Sequence, residues 1–426
     1  MSLPQEDFLH YVWQMQYFDK KNLRSTTQQA INILDKGQHN HHSGPDFSSA
    51  RLVLNNTEWA GDVEIHVRSS EWRRHQHHHN PAYSKVILHV VWEDDDSLQP
   101  AAGQVPVLEL KNKLHEGLFE RYLQFFDGVP PFPCASYTSH LPQALQERVL
   151  LQNWIGRQNR KINDIHSLYL RNHKNLEETA YQLLGQGFGL SINQEPFLRL
   201  CQQLPHKYLQ KHANQAPQIE ALLFGMSGLL PEQPKDDYSQ ALVQEFAFLS
   251  HKYNLKSHKL LLSEWKFSKL RPPSFPTVRL AHFAALMYGR QHFFAELIHA
   301  ESLQELKAFF GCQPSAYWHT HYDFGKESKL LRGGLGTLFT EVLILNVVVY
   351  LGLFYAELKG ISGLANKFLG FAESLKAEEN KLTKFYTDRG FRAQHAAQSQ
   401  GILELHKQQC LAKKCLSCGV GQYLLK

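Results

Sequence analysis

Two hydrophobic periods run along this chain, and the change from one to the other divides it. Between Glu6 and Leu23 the apolar groups fall at Phe8, Leu9, Val12, Trp13 and Met15. That spacing is close to the repeat of an amphipathic helix. Residues 29–35 (Gln-Ala-Ile-Asn-Ile-Leu-Asp) alternate instead, as a half-buried strand does. Gly37 to Asp46 is a run of breakers and polar groups, and predicts a loop. Residues 50–55 and 61–68 read as two strands joined through Asn55-Asn56, a hairpin signal. A polar segment with Trp72 predicts a short helix. Val86 to Trp92 is apolar on both faces, as a central buried strand should be. Val105 to Lys111 adds an edge strand.

From about residue 140 the texture is helical and stays so to about residue 408, broken at Pro231–Pro234 and Arg271–Pro276. Phe125 to Cys134 is Pro-rich and aromatic, and reads as a linker or a wrapping arm. The expected organisation is an α/β domain over residues 1–135, with a mixed sheet flanked by helices. A mostly α-helical region follows over 136–405, and then a cysteine-containing segment over 406–426.

Composition narrows the function classes. With 43% hydrophobic and 20% charged residues, the 426-residue chain has ample material for a core. A formal charge of +5 permits a nucleic-acid partner without demanding one. The start, Met-Ser-Leu-Pro-Gln-Glu-Asp, has neither a basic head nor an apolar core, so the expectation is a cytoplasmic protein. The apolar run Val342–Tyr355 contains Asn346 and falls short of the roughly 20 residues that span a bilayer. It predicts a buried helix, with no membrane partner. Nothing in the sequence speaks to the oligomeric state.

Histidine changes the picture. His39, His41, His42, His66, His75, His77, His78, His79 and His89 crowd the N-terminal region. Such density points to metal binding or, for His75 to His79, equally to a polar surface loop. On the strand over 61–68, alternate side chains share a face, so Asp62, Glu64, His66 and Arg68 project together. A charged stripe of that kind is usually a strand's solvent side. Here the preceding strand begins just after Gly44-Pro45-Asp46, and a hairpin brings Asp46 towards Glu64. Two carboxylates so placed suit Mg²⁺ or Mn²⁺. His66 can act as a further ligand or orient water. His89, in an otherwise apolar strand, is either another metal ligand or a satisfied core histidine.

Pro45-Asp46 and Glu64-Ile65-His66, in this order of elements, resemble the PD-(D/E)XK nuclease superfamily. There a Pro-Asp opens the second strand of the core hairpin and a Glu-x-Lys lies on the third. The resemblance implies a restriction-endonuclease-like fold, catalysis through Asp46, Glu64 and His66, and Glu6 as an accessory acid. His66 stands where Lys is usual. A later triplet, Glu109-Leu110-Lys111, lies outside the hairpin. The implied function is a metal-dependent phosphodiesterase acting on DNA or RNA. The alternative is a non-catalytic nucleic-acid- or protein-binding protein on a degenerate nuclease fold. A third reading is another metal-dependent hydrolase, with zinc or manganese on the histidines.

A second resemblance covers nearly the whole chain. Gly44-Pro-Asp-Phe with Gly61-Asp-Val-Glu-Ile-His, Arg271-Pro-Pro-Ser-Phe-Pro-Thr-Val-Arg279, and the Cys-Leu-Ser-Cys-Gly end are similar to an uncharacterised bacterial family, domain of unknown function 2851. It implies architecture and no activity. At the C-terminus, Cys410, Cys415 and Cys418 are spaced for metal. Cys-x₂-Cys lets both sulfurs reach one tetrahedral ion. Zn²⁺, an iron–sulfur cluster and ordinary buried thiols all fit. His406 or Cys134 can supply a fourth ligand. Two basic series, Arg148, Arg157, Arg160 and Lys161, then Lys252, Lys256, Lys259, Lys266 and Lys269, read as phosphate contacts or as solvated helix faces.

Overall fold

The hairpin turn at Asn55 and Asn56 sets the register of the N-terminal sheet. Both residues take positive φ, 45° and 67°, the pairing a two-residue hairpin turn requires. In the computed structural model, which describes residues 3–40, 44–95, 105–126, 133–255, 259–268, 270–328 and 333–426, the turn joins two long strands. These are β3 (Phe47–Leu54) and β4 (Thr57–Arg68). Before them come helix α1 (Glu6–Met15), strand β1 (Ile31–Asp35) and the short β2 (Gln38–His39). After them come helix α2 (Glu71–Arg74), β5 (Val86–Glu93) and β6 (Val107–Glu109). His41 and His42, and residues 127–132 of the Pro-rich segment, lie outside the described residues.

The sheet runs β1-β3-β4-β5-β6, with β2 also paired to β3. Its β1, β3 and β4 are antiparallel, while β4–β5 and β5–β6 are parallel. It is a mixed sheet with helices, as the alternation predicts. Parallel neighbours cannot be joined by a tight turn and need a crossover connection. Residues 69–85 supply it, through α2 and two 3₁₀ turns at His77–His79 and Pro81–Tyr83. The crossover returns closely at Gly61, where a Cβ would lie 2.4 Å from the Lys85 carbonyl oxygen.

Helix α1 packs against β4. It buries Phe8, Leu9, Val12 and Trp13 completely, each contributing about 1.5–3 kcal/mol relative to exposure. The Trp13 indole N–H donates to the Lys36 carbonyl at 3.1 Å. The helix ends where Gln16 enters the left-handed region.

The chain divides into two compact units. The first holds Met1–Val149 with Asp388–Phe391 and Leu405–Lys426, and the second holds Leu150–Thr387 with Arg392–Glu404. The second unit is mostly helical and built around one apolar core that includes Phe188, Phe197, Phe224, Phe283, Leu343 and Tyr350. Its apolar helix runs from Thr337 to Lys359, longer than the apolar run alone suggests. By length and composition it can cross a membrane, and 67% of its most apolar window is buried inside the protein. A wide π-helical turn at Ile344–Val348 interrupts it. There the Asn346 amide donates back to the Val342 carbonyl at 3.1 Å.

The basic helix at Arg157 and Arg160 has an internal partner. Arg157 donates to Glu404 at 3.3 Å and to the Tyr350 hydroxyl at 3.1 Å, and Arg160 donates to Glu404 at 2.7 Å. These two guanidiniums are held by a buried carboxylate. Lys256 and Lys269 of the second basic series lie outside the described residues.

Candidate metal centre

The centre grows from the β3–β4 register. Phe47 pairs with Val63, so Asp46 at the mouth of β3 reaches the level of Glu64. The Asp46 backbone N–H donates to Glu64 Oε2 at 3.2 Å. In return, Asp46 Oδ2 accepts the Ile65 N–H at 2.8 Å. Helix α1 adds two groups one turn apart on a single face. His10 Nε2 lies 3.3 Å from Asp46 Oδ2 and 3.8 Å from Glu6 Oε1. Glu6, His10 and Asp46 thus offer ligand atoms that all lie within 4.8 Å of one another.

The other half of the centre is imidazole. His66 follows Glu64 on the same strand face. Its Nδ1 is 2.9 Å from His89 Nε2 on β5, and its Nε2 is 3.3 Å from His75 Nδ1. The crossover also carries His77, whose ring lies against Tyr83 with centroids 3.8 Å apart. His66 Nε2 and His77 Nε2 stand 3.5 and 3.4 Å from Glu64 Oε1. His66, His75 and His77 form a second group with ligand atoms within 4.8 Å of one another. Glu64 therefore sits between the acidic group and the histidine group. Glu71 braces the strand end, its Oε2 accepting the Val67 and Arg68 N–H groups.

Burial sets the electrostatics. Glu64 is 5% exposed and His66 2%, so the middle of the polar stripe of β4 is covered, while Asp62 is half-buried and Arg68 exposed. The crossover and α1 lie over the positions that alternation alone gives to water. Burial, and then the charge of Asp46, push the Glu64 carboxyl up to about 9. Burial, and then His89, His77 and His75, push the His66 ring down to about 3. Burial brings His89 to about 3 as well. His66 and His89 are held neutral by this burial. A buried carboxyl beside a second carboxylate is a donor set that fits a divalent ion.

Asp46, Glu64 and His66 are brought together, and Glu6 joins them through His10 and Asp46. His89 is placed behind His66, its Nε2 turned to that ring. His10 is an addition, while His75 and His77 come from the histidine run whose density points to metal binding or a surface loop. The first was legible as a histidine one turn after Glu6. The other two depend on how the crossover folds back.

All six cysteines are free thiols. Cys415 and Cys418 close a 3₁₀ turn through Cys418 N–H to the Cys415 carbonyl at 3.1 Å. A Cβ at Gly421 would lie 2.0 Å from that same carbonyl, so the turn needs glycine there. Burial raises the Cys134 thiol, and the nearby thiols of Cys410, Cys418 and Cys415 raise it further. Burial pushes Cys415 up to about 12, with Cys418 and Cys410 adding to it. The shift at His406 is a lowering by burial alone. Cys134 is thus the distant residue that shares the surroundings of the three C-terminal cysteines.

The family model described as protein of unknown function (DUF2851) matches residues 6–381. The chain belongs to the DUF2851 family. No curated protein and no solved structure matches it. The DUF2851 match takes in every residue of the acidic and histidine groups and Cys134, and it ends before Cys410.

Proposed function

We propose that the N-terminal unit is a metal-dependent phosphodiesterase acting on nucleic acid, in the manner of the PD-(D/E)XK nucleases. The observation that carries this reading is the direct link from the Asp46 N–H to Glu64 Oε2 at 3.2 Å. It joins the backbone of the acid at the mouth of one hairpin strand to the carboxylate within the next. The order of elements supports it. Helix α1, the antiparallel β1, β3 and β4, a crossover and a parallel β5 follow one another as that superfamily arranges them. Asp46 and Glu64 hold Mg²⁺ or Mn²⁺, with Glu6 as an accessory acid. A divalent ion in that place supplies Lewis-acid polarisation of a phosphoryl oxygen and a more acidic bound water.

The role of His66 follows from its environment. A general base works best with a pKa near the working pH. A ring held down to about 3 takes up a proton poorly at neutral pH. His66, where Lys is usual, therefore serves as a ligand or as a group that orients water. His89 fixes which nitrogen it presents. The exposed His75 leaves this side of the centre open to solvent and substrate.

The four cysteines form a separate centre in this proposal. They hold Zn²⁺, with an iron–sulfur cluster as the competing occupant, and close the C-terminal segment on the first unit.

The test is cleavage of single- and double-stranded DNA and RNA with Mg²⁺ or Mn²⁺. Cleavage that depends on the ion supports the reading. No cleavage, together with salt-sensitive binding to the same polymers, favours a binding protein on a degenerate nuclease fold.

A further inference from the structure

The histidine group supports an inference beyond the Mg²⁺ or Mn²⁺ of the acidic site. We infer that Glu64, His66, His75 and His77 form a four-ligand site for a divalent transition ion of the zinc class.

Zinc–nitrogen and zinc–oxygen bonds of roughly 2.0–2.2 Å put neighbouring ligand atoms of a tetrahedron roughly 3.3–3.6 Å apart. Three such separations are present. They are 3.3 Å from His75 Nδ1 to His66 Nε2, 3.5 Å from His66 Nε2 to Glu64 Oε1, and 3.4 Å from His77 Nε2 to Glu64 Oε1. The three imidazoles also fall within 4.8 Å of one another. Ligand atoms at the edges of an ion's coordination shell have this spacing.

The second observation is His77 itself. It is 9% exposed, and neither of its ring nitrogens has a hydrogen-bond partner. A buried polar atom left unpaired costs about 1–3 kcal/mol. An ion bound at Nε2 satisfies one of the two. The third observation is the support behind His66. Its Nδ1 faces His89 Nε2 at 2.9 Å. A metal-ligating histidine characteristically has its other nitrogen engaged in this way, which fixes the ring.

Donor chemistry decides the class of ion. Three imidazoles and one carboxylate are borderline ligands. They favour zinc, cobalt, nickel, copper or iron over magnesium and manganese, which prefer oxygen shells. Glu64 belongs to both groups. Its Oε1 faces the imidazoles and its Oε2 faces Asp46, so one carboxylate connects the two sites. The inference shares Glu64 with the proposed phosphodiesterase site but does not depend on cleavage. The neighbouring His78 and His79 are exposed and stack on each other with centroids 4.0 Å apart. They are the part of the histidine run that is plain surface.

The experiment is cobalt(II) and zinc binding to the full chain after stripping with a chelator. Bound zinc is counted per chain, and the cobalt spectrum is recorded. Wild type should show visible cobalt bands of a four-coordinate nitrogen and oxygen site. The cysteine centre adds visible bands at longer wavelength and near-ultraviolet sulfur-to-cobalt transitions, so the histidine site is read from the difference between wild type and variant. His75→Ala, at an exposed ring, should keep the wild-type melt of the metal-free protein and lose the nitrogen and oxygen component of the visible bands and about one zinc per chain. His77→Gln should do the same while conserving polarity against Tyr83. Sulfur-to-cobalt absorption should persist in both. Zinc content and visible bands unchanged in both variants would overturn the inference. Loss of the ion in the variants, in a protein that cleaves no nucleic acid, would uphold this site and remove the phosphodiesterase reading.

Discussion

Glu64 Oε2 accepts the backbone N–H of Asp46 at 3.2 Å, and this one bond ties the two principal acids of the centre together. It has a consequence for pH. In the metal-free protein Glu64 is raised from 4.5 to about 9. The folded state then holds a proton that the unfolded chain has already released. Its contribution to stability is complete below about 4.5 and is lost as the pH rises towards 9. Above the range in which the histidines titrate, metal-free wild type should melt at progressively lower temperature from about pH 7 to pH 9, and Glu64→Gln should show less of this fall. Added Mn²⁺ should restore wild type at the alkaline end and leave the variant unchanged. Calorimetry across that range, with and without ion, measures this.

The histidines give the opposite slope. His66 and His89 are lowered from 6.5 to about 3, so the folded state refuses protons that the unfolded chain accepts. Their contribution is complete above about 6.5 and is lost as the pH falls towards 3. Bound ion, held by neutral rings, should be released over the same acid range. Dialysis at stepped pH, followed by metal analysis, follows that release.

His89 acts through His66. Replacing it with phenylalanine fills the space among Trp72 and the strand but leaves His66 Nδ1 without its partner. Ion binding at the histidine group should weaken roughly 10–100-fold, with the melt of the metal-free protein close to wild type. Calorimetric titration with zinc reads the affinity directly. An unchanged affinity would make His89 a core residue only.

Glu404 tests whether the basic helix is structural. It is buried and receives both Arg157 and Arg160. Removing one member of a buried ion pair costs about 3–5 kcal/mol, because the other charge is left unpaired. Glu404→Ala should lower denaturant stability by about that much. Cleavage by the remaining folded protein should be unaffected. A specific loss of nucleic-acid binding instead would return the arginines to a phosphate role.

The sequence carried much of this fold. Asn55-Asn56 marked the hairpin, the alternation at Ile31–Asp35 marked β1, and the two-faced apolar run at Val86–Trp92 marked β5. The strands themselves reach further than their apolar runs. β3 begins at Phe47, a buried residue beyond the polar Ser48 and Ser49, and β4 begins at Thr57, where backbone pairing continues past the last buried side chain. Asp46, Glu64 and His66 were legible because strand periodicity places side chains on faces. The density of histidines put His75 and His77 among the metal-binding candidates, but not the rings they would meet, since their positions depend on a crossover with no strong period of its own. Nor could the covered state of Glu64 be read. It follows from α1 and the crossover packing over a stripe that looks solvent-facing in isolation. The partnership of Arg157 with Glu404 spans most of the second unit's sequence, and spacing gives no sign of it.

The most direct test of the central claim compares wild type with Asp46→Asn in the nucleic-acid cleavage assay. Asparagine is the appropriate replacement, because Asp46 Oδ2 accepts the Ile65 N–H and an amide oxygen can still accept it. The account predicts ion-dependent cleavage by wild type, a loss of roughly a hundredfold or more in the variant, and an unchanged melt. Equal cleavage by Asp46→Asn, with metal content unaltered, would contradict it.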